Sequence, residues 1–182
     1  MDDSIHTRDR YKFATELDKR RILETLENLV RGKINAYKID GLEKPYGPVN
    51  VNIEANSTDY AKPKGPFMIL GGIASLGMFN SFTKKTRRYP IWLSLEQAED
   101  NISEYTIPQG FHFEYIPENV SIKNEFLDLN VSYERKGNIV RRSEHVHYKR
   151  AVIPPEEYPA FKEFLLKCEG VLGEAIVLRK GN

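Results

Sequence analysis

Apolar positions change period several times along the chain, and each change marks an element. Ile22, Leu23, Leu26, Leu29 and Val30 recur at helical spacing and build one apolar face. Asp18 is a good N-cap, and Leu17 and Ile22 sit where a hydrophobic staple requires. Gly32 follows as the C′ residue, with Arg31 in the last turn favourable to the dipole. The pattern predicts an amphipathic helix of about four turns over 18–31. Residues 7–17 read either way: Thr7 can cap a short helix, whereas Tyr11 and Phe13 alternate as in a strand. From Gly32 the period falls to two. Ile34 and Ala36, then Val49, Val51 and Ile53, alternate with polar neighbours, and Gly41 and Pro45 break the run. A polar loop over 56–65 has Tyr60 as its candidate anchor. Residues 67–70 read as a buried strand, and 71–82 as an apolar, glycine-rich connection.

The second half is richer in strands. Residues 87–95 form a strand pattern whose Pro90 suits an edge or a bulge. Over 106–120, Pro108 and Gly110 turn the chain, and Phe111, Phe113 and Tyr115 then alternate with His112, Glu114 and Ile116 before Pro117. That stretch reads as a sheet corner with its three aromatics on one face. Leu127, Leu129, Val131 and Tyr133 open a hairpin that turns at Arg135-Lys136-Gly137-Asn138 and returns from Ile139 to about Val152. Pro154 and Pro155 stop the return strand and start a helix, whose apolar face holds Tyr158, Phe161, Phe164, Leu165, Cys168 and Leu172. Gly170 and Gly173 end that helix, and residues 175–178 form a last strand. Runs of strands without alternating helices imply antiparallel pairing. The expected fold is mainly β (α+β): an antiparallel β-sandwich or strongly bent sheet with an N-terminal and a C-terminal helix at its margins.

A chain of 182 residues suits one domain over 1–182, with a division into 1–85 and 86–182 as the alternative. The 27 basic and 26 acidic residues leave a net charge of +1, which provides no field for nucleic acid or an anionic membrane. Lys84, Lys85, Arg87 and Arg88 read as a solvated strand end. The start of the chain is charged and has no apolar signal-like region. Residues 66–82 are too short and too interrupted to span a bilayer.

The search for chemistry returns little. The sole cysteine, Cys168, rules out a disulfide framework, and its place late in a helix among aromatics reads as core instead of as a nucleophile. His145 and His147 share one face of a strand at a spacing that can chelate zinc or copper, but no third ligand is identifiable. Glu156 with Glu157, and Glu96 with Glu99 and Asp100, read as solvated caps. Gly71-Gly72 fits no phosphate-binding pattern, and no GxSxG elbow occurs. No catalytic residue and no cofactor are expected. The aromatics remain: Tyr89, Trp92, Tyr105, Phe111, Phe113 and Tyr115, with Phe79 beside them, are the candidate interaction surface, set against the alternative that they are sheet core.

Three motifs in order carry a resemblance: Arg88-Tyr89-Pro90-Ile91, then 107–117 as IPxGFxFExIP, then Ile153-Pro154-Pro155-Glu156-Glu157-Tyr158. Together with the 18–31 helix and the last strand, they resemble the C-terminal β-domain of unknown function that follows the transglutaminase-like (papain-fold) core in bacterial multidomain proteins. The likeness runs from about Tyr11 onward. It implies that this chain is a piece of a longer protein and lies downstream of the enzyme. That family's core uses Cys, His and Asp in chain order, whereas Cys168 here follows every histidine, so no catalytic role carries over. The resemblance further implies a cell-envelope setting, periplasmic or extracytoplasmic, with the core domain, or another protein or peptide, as partner. The expected function is a non-catalytic accessory domain. The alternative is a free-standing peptide- or glycan-binding β-sandwich module.

Overall fold

The computed structural model describes Arg8 and residues 11–30, 32–44, 47–56, 61–71, 82–93 and 98–181, with the Leu29 side chain left out. Thr7, Tyr60, Phe79 and most of the glycine-rich connection lie outside the described residues. The chain divides into two compact units, Met1–Ala61 and Lys62–Asn182. Among the described residues, the registers are antiparallel throughout. The fold among the described residues is mainly antiparallel β, with two long helices and several sheets.

The first unit packs helix α1 (Glu16–Val30) with a hairpin of β1 (Lys33–Asp40) and β2 (Asn50–Asn56). Tyr11 and Lys12 are helical, which decides the ambiguity of that stretch. The cap of α1 differs from expectation. Thr15 caps it, with its Oγ1 accepting from the Asp18 N–H at 3.2 Å, while Asp18 Oδ2 accepts from the Thr15 N–H at 3.1 Å. A carboxylate serves this reciprocal arrangement at N3 as well as a single cap at Ncap, and sequence pattern does not separate the two. The Gly32 N–H closes the helix on the Glu27 carbonyl at 3.1 Å. Among its described side chains Ile22 and Leu26 are buried, whereas Leu17 is exposed. In the hairpin loop, Gly41 has φ +90°, and a Cβ there would lie 2.4 Å from the Pro48 carbonyl oxygen, so only glycine fits. The buried Arg8 ties the loop by donating to the Gly41 and Gly47 carbonyls.

The second unit holds β3 (Ala61–Lys64, starting at the boundary), β4 (Phe67–Leu70), β5 (Ile91–Trp92), β6 (Ala98–Thr106), β7 (Phe111–Tyr115), β8 (Val120–Lys123), β9 (Leu127–Lys136), β10 (Ile139–Tyr148), β11 (Val152–Ile153), α2 (Tyr158–Leu172) and β12 (Ile176–Lys180). They form two four-stranded sheets, β6-β10-β9-β8 and β3-β4-β12-β7, and a two-stranded sheet, β11-β5. The predicted hairpin is β9–β10, with Lys136 opposite Ile139 and the two-residue loop Gly137-Asn138, where Gly137 takes φ +60°. Its return strand ends sooner than the alternation implied. The strand stops at Tyr148, one further in-register bond runs from the Lys149 N–H to the Phe126 carbonyl at 2.9 Å, and Val152 and Ile153 pair instead with Trp92 and Ile91 in the separate sheet.

The predicted corner over 106–120 carries the chain from one four-stranded sheet to the other and back. The preceding strand, β6, and the following strand, β8, belong to β6-β10-β9-β8, and β7 between them to β3-β4-β12-β7. Gly110 takes φ +85° at the turn, and its carbonyl accepts from the Gly181 N–H at 2.7 Å. Within β7 the expected alternation fails. Leu178 opposes Phe113 and Val177 opposes Tyr115, so Glu114 is an extra, bulged residue. A bulge shifts the pleat by one, which separates Tyr115 from Phe111 and Phe113 and leaves it on the outer face with Val177.

The core lies between α2 and the inner face of β6-β10-β9-β8. Tyr158, Phe161, Leu165, Cys168 and Leu172 are buried from the helix, and Leu127, Leu129, Val131, Val146 and Tyr148 from the sheet. Phe161 meets the rings of Phe82 and Phe126 edge-on, at centroid distances of 5.7 and 5.4 Å. The helix starts later than the prolines suggested: Pro154 and Pro155 form a turn before it, and Glu157 is the N-cap position without a capping side chain, because its carboxylate is paired with Arg150.

One ion pair sits inside this core. Arg142 and Glu144 expose 2% and 6% of their surface, with Nε to Oε1 at 2.6 Å. Arg142 also donates to the Leu172 carbonyl at 2.7 Å and so caps the C-terminal end of α2. Burial pushes the Glu144 carboxyl above its ordinary range, with Arg142 pulling the other way. A buried charge that loses its partner is costly, whereas removal of both is tolerated. Glu144→Leu should therefore destabilise the chain by about 3–5 kcal/mol in urea unfolding, and Arg142→Met added to it should recover most of the loss. A loss below about 1 kcal/mol for the single variant would contradict this assignment.

Candidate interaction surface

The candidate aromatics fall in two separate places. Trp92 lies on β5 and is 77% exposed, while its neighbour Ile91 is buried. Alternation along a two-residue strand with one inward anchor drives the indole outward. Tyr89, three residues earlier, is 70% exposed, with the Arg88 guanidinium 5.9 Å from its ring centre. Pro90 separates the two rings and keeps Tyr89 out of the ladder.

Phe111, Phe113 and Tyr115 lie on β7, at the edge of the other sheet. Phe111 and Phe113 are half-buried, and Phe113 shares the face of the fully buried Leu178 with the Arg135 guanidinium 4.9 Å from its ring. Tyr115 is 48% exposed on the outer face. There Glu114 lies 3.6 Å from Arg179 and 3.8 Å from His112. Among the described residues no ring contact joins Trp92 to the β7 aromatics, and Phe79 lies outside them. The predicted set thus comprises an exposed aromatic pair on the β5 segment and a half-buried edge strand.

Around the aromatic pair the backbone is pinned. The Tyr158 hydroxyl donates to the Lys84 carbonyl at 2.8 Å, and Lys162 Nζ reaches the Thr83 and Lys84 carbonyls at 3.3 and 3.1 Å. Arg87 lies over the Phe82 and Tyr158 rings, at 5.1 and 5.3 Å. Lys84 and Arg87 are thus tied to the start of α2 on the same segment that carries Tyr89 and Trp92. Lys84, Lys85 and Arg88 are solvated, and the contacts that anchor their backbone come from a helix 70 or more residues away in the chain.

The histidine pair behaves as two separate sites. His145 Nδ1 lies 2.7 Å from Asp100 Oδ1. His147 has Asp128 as its cross-strand neighbour, but that carboxylate is taken by Lys149 at 2.6 Å, whose hydrogen bond holds the Asp128 carboxyl below its usual range. Among the described residues no three potential ligands converge on a metal position. Nor does any described helix have the length and apolarity to cross a membrane.

Cys168 is fully buried in the core, and burial pushes its thiol up to about 11. The thiolate that a nucleophile needs is thus scarce near neutral pH. In the folded chain Cys168 should not react with a thiol reagent at pH 8, and it should react stoichiometrically in guanidinium. Rapid labelling under native conditions would show that the helix does not shield it.

Nothing among the curated proteins matches this chain. A solved structure from Parabacteroides distasonis, titled a "putative protease", matches it in fold with a TM-score of 0.52 at 14% identity. The match covers 66% of this chain and 24% of that one, so the chain is similar to a minor part of a much longer protein. A family model described as a Domain of Unknown Function with solved-structure structure (DUF3858) covers residues 70–178. That span takes in the core, the corner over 106–120 and the β5 segment, and this chain belongs to the DUF3858 family.

Proposed function

We propose that this chain is a non-catalytic accessory β-domain that accompanies a transglutaminase-like or cysteine-peptidase-like core and makes protein–protein contacts for it. The observation that carries the reading is that the fold of 66% of this chain is matched by 24% of a longer solved chain. The ordered motifs at 88–91, 107–117 and 153–158 support the same context. So does the full burial of the sole cysteine in the core, with its thiol pushed up by that burial, which fits a domain that leaves chemistry to a neighbour. A periplasmic or extracytoplasmic setting goes with this reading, and fractionation of cells making the full-length protein tests it.

A second reading has an observation of its own. Trp92 stands far out of the surface beside Tyr89, and an exposed aromatic pair on a pinned segment also suits a free-standing module that binds a peptide or a glycan.

Adding the purified chain to the core domain encoded with it should raise the core's melting temperature or change its turnover. If there is neither binding nor any effect, the accessory reading is lost. Trp92→Ala should leave the stability of the chain within about 0.5 kcal/mol, since an exposed side chain contributes little to the fold, while weakening partner binding. Equal binding by the variant would remove Trp92 from the surface.

A further inference from the structure

Residues 82–93, FTKKTRRYPIWL, hold four cations and no carboxylate in a chain whose charges otherwise balance. The segment is fixed from beneath. Phe82 and Ile91 are buried at its two ends, and Tyr158 and Lys162 hold its carbonyls. Arg87 is spent on this anchoring, over the Phe82 and Tyr158 rings. Lys84, Lys85 and Arg88 are exposed, and among the described residues none of them makes an ion pair. Three solvated cations, an exposed Tyr89 and an exposed Trp92 therefore lie along one anchored segment.

The ladder adds a backbone feature. The Leu93 N–H donates to the Ala151 carbonyl at 2.8 Å, and Trp92 opposes Val152. In an antiparallel pair the hydrogen-bonded and non-bonded positions alternate, so the N–H and C=O of Trp92 point away from β11. Among the described residues, sheet β11-β5 has two strands and none of them pairs with that side of β5. An edge with an outward donor and acceptor is matched by another extended backbone.

We propose that the segment 84–92 is a docking site for an extended, acidic polypeptide segment of a partner protein. The partner's backbone pairs with Trp92 at the edge of β5, an apolar side chain lies on the indole, and its carboxylates meet Lys84, Lys85 and Arg88. One residue's worth of backbone pairing is weak, so the charges and the indole carry most of the affinity. A polypeptide fits better than the other polyanions. Nucleic acid binding draws on a broad positive field, and this chain has a net charge of +1. A glycan stacks on open ring faces and makes no use of a strand edge, whereas Arg88 lies over the Tyr89 ring.

The inference rests on the reading of this chain as an interaction domain. Trp92 is the only tryptophan, so its emission reports the site directly. The whole chain is titrated with a fluorescein-labelled peptide of alternating Glu and Val, and in parallel with Gln-Val and Lys-Val peptides, polygalacturonate and oligothymidylate. The expected result is saturable binding of the Glu-Val peptide with a blue shift of Trp92. Reversal of Lys84, Lys85 and Arg88 to Glu should weaken that binding by at least about tenfold, and added salt should weaken it as well. Circular dichroism checks the folding of the reversed variant, and if it does not fold, the triple Gln variant carries the test. The proposal is overturned by no saturable binding, by equal binding of the Gln-Val peptide, or by polygalacturonate or oligothymidylate binding as tightly. Unchanged affinity in the charge-altered variant overturns it too. Should that variant still stabilise the associated core domain, the docking surface lies elsewhere and the accessory reading stands.

Discussion

The face of α2 laid against β6-β10-β9-β8 is the contact on which the larger unit depends. Five buried side chains at helical spacing, from Tyr158 to Leu172, meet the inward positions of β9 and β10. Burial of that many large apolar groups is the main favourable term available to such a unit. The same helix organises polar groups at both ends. Near its start, Tyr158 and Lys162 hold the carbonyls of residues 83 and 84, and Glu157 pairs with Arg150. At its finish, the Leu172 carbonyl receives the buried Arg142, which would otherwise be a charge without a hydrogen-bonded setting on that side. The helix therefore fixes more than its own position, because the β5 segment is anchored through it.

That anchoring links the core to the surface. An exposed tryptophan on a loose loop loses much of its binding energy to ordering, whereas one on a pinned segment does not. Phe82 and Ile91 are both in the core cluster, so the exposed residues between them, and Trp92 next to Ile91, are held by the same packing that stabilises the unit. Charge follows a similar logic. A net charge of +1 describes the whole chain well and describes residues 82–93 poorly, since steering and recognition respond to local arrangement as well as to the total.

Several elements were legible from pattern alone. The helix at Glu16–Val30, the β9–β10 hairpin with its Gly137 turn, and the apolar face of Tyr158–Leu172 follow from period, turn chemistry and Gly or Pro punctuation, which are local properties. The corner over 106–120 was legible as a corner, although its role as a two-way crossing between sheets was not. Local signals lost out where a distant partner competed. Val152 leaves the return strand because Ile91 and Trp92 offer a second ladder. Asp18 serves at N3 because Thr15 is there to cap. Tyr115 leaves the face of Phe113 because β12 imposes a bulge at Glu114, and no alternation rule contains that bulge.

By itself, then, the sequence determined a mainly antiparallel β chain with two amphipathic helices, a buried cysteine and aromatics in strands. Each of these follows from the order of neighbours along the chain. Only the tertiary structure decided which aromatics face water. Exposure of Trp92 and Tyr89 depends on a two-residue strand, a helix more than sixty residues further on and the carbonyls that helix holds. These are contacts of large sequence separation, and the residues that make them look ordinary until the chain brings them together.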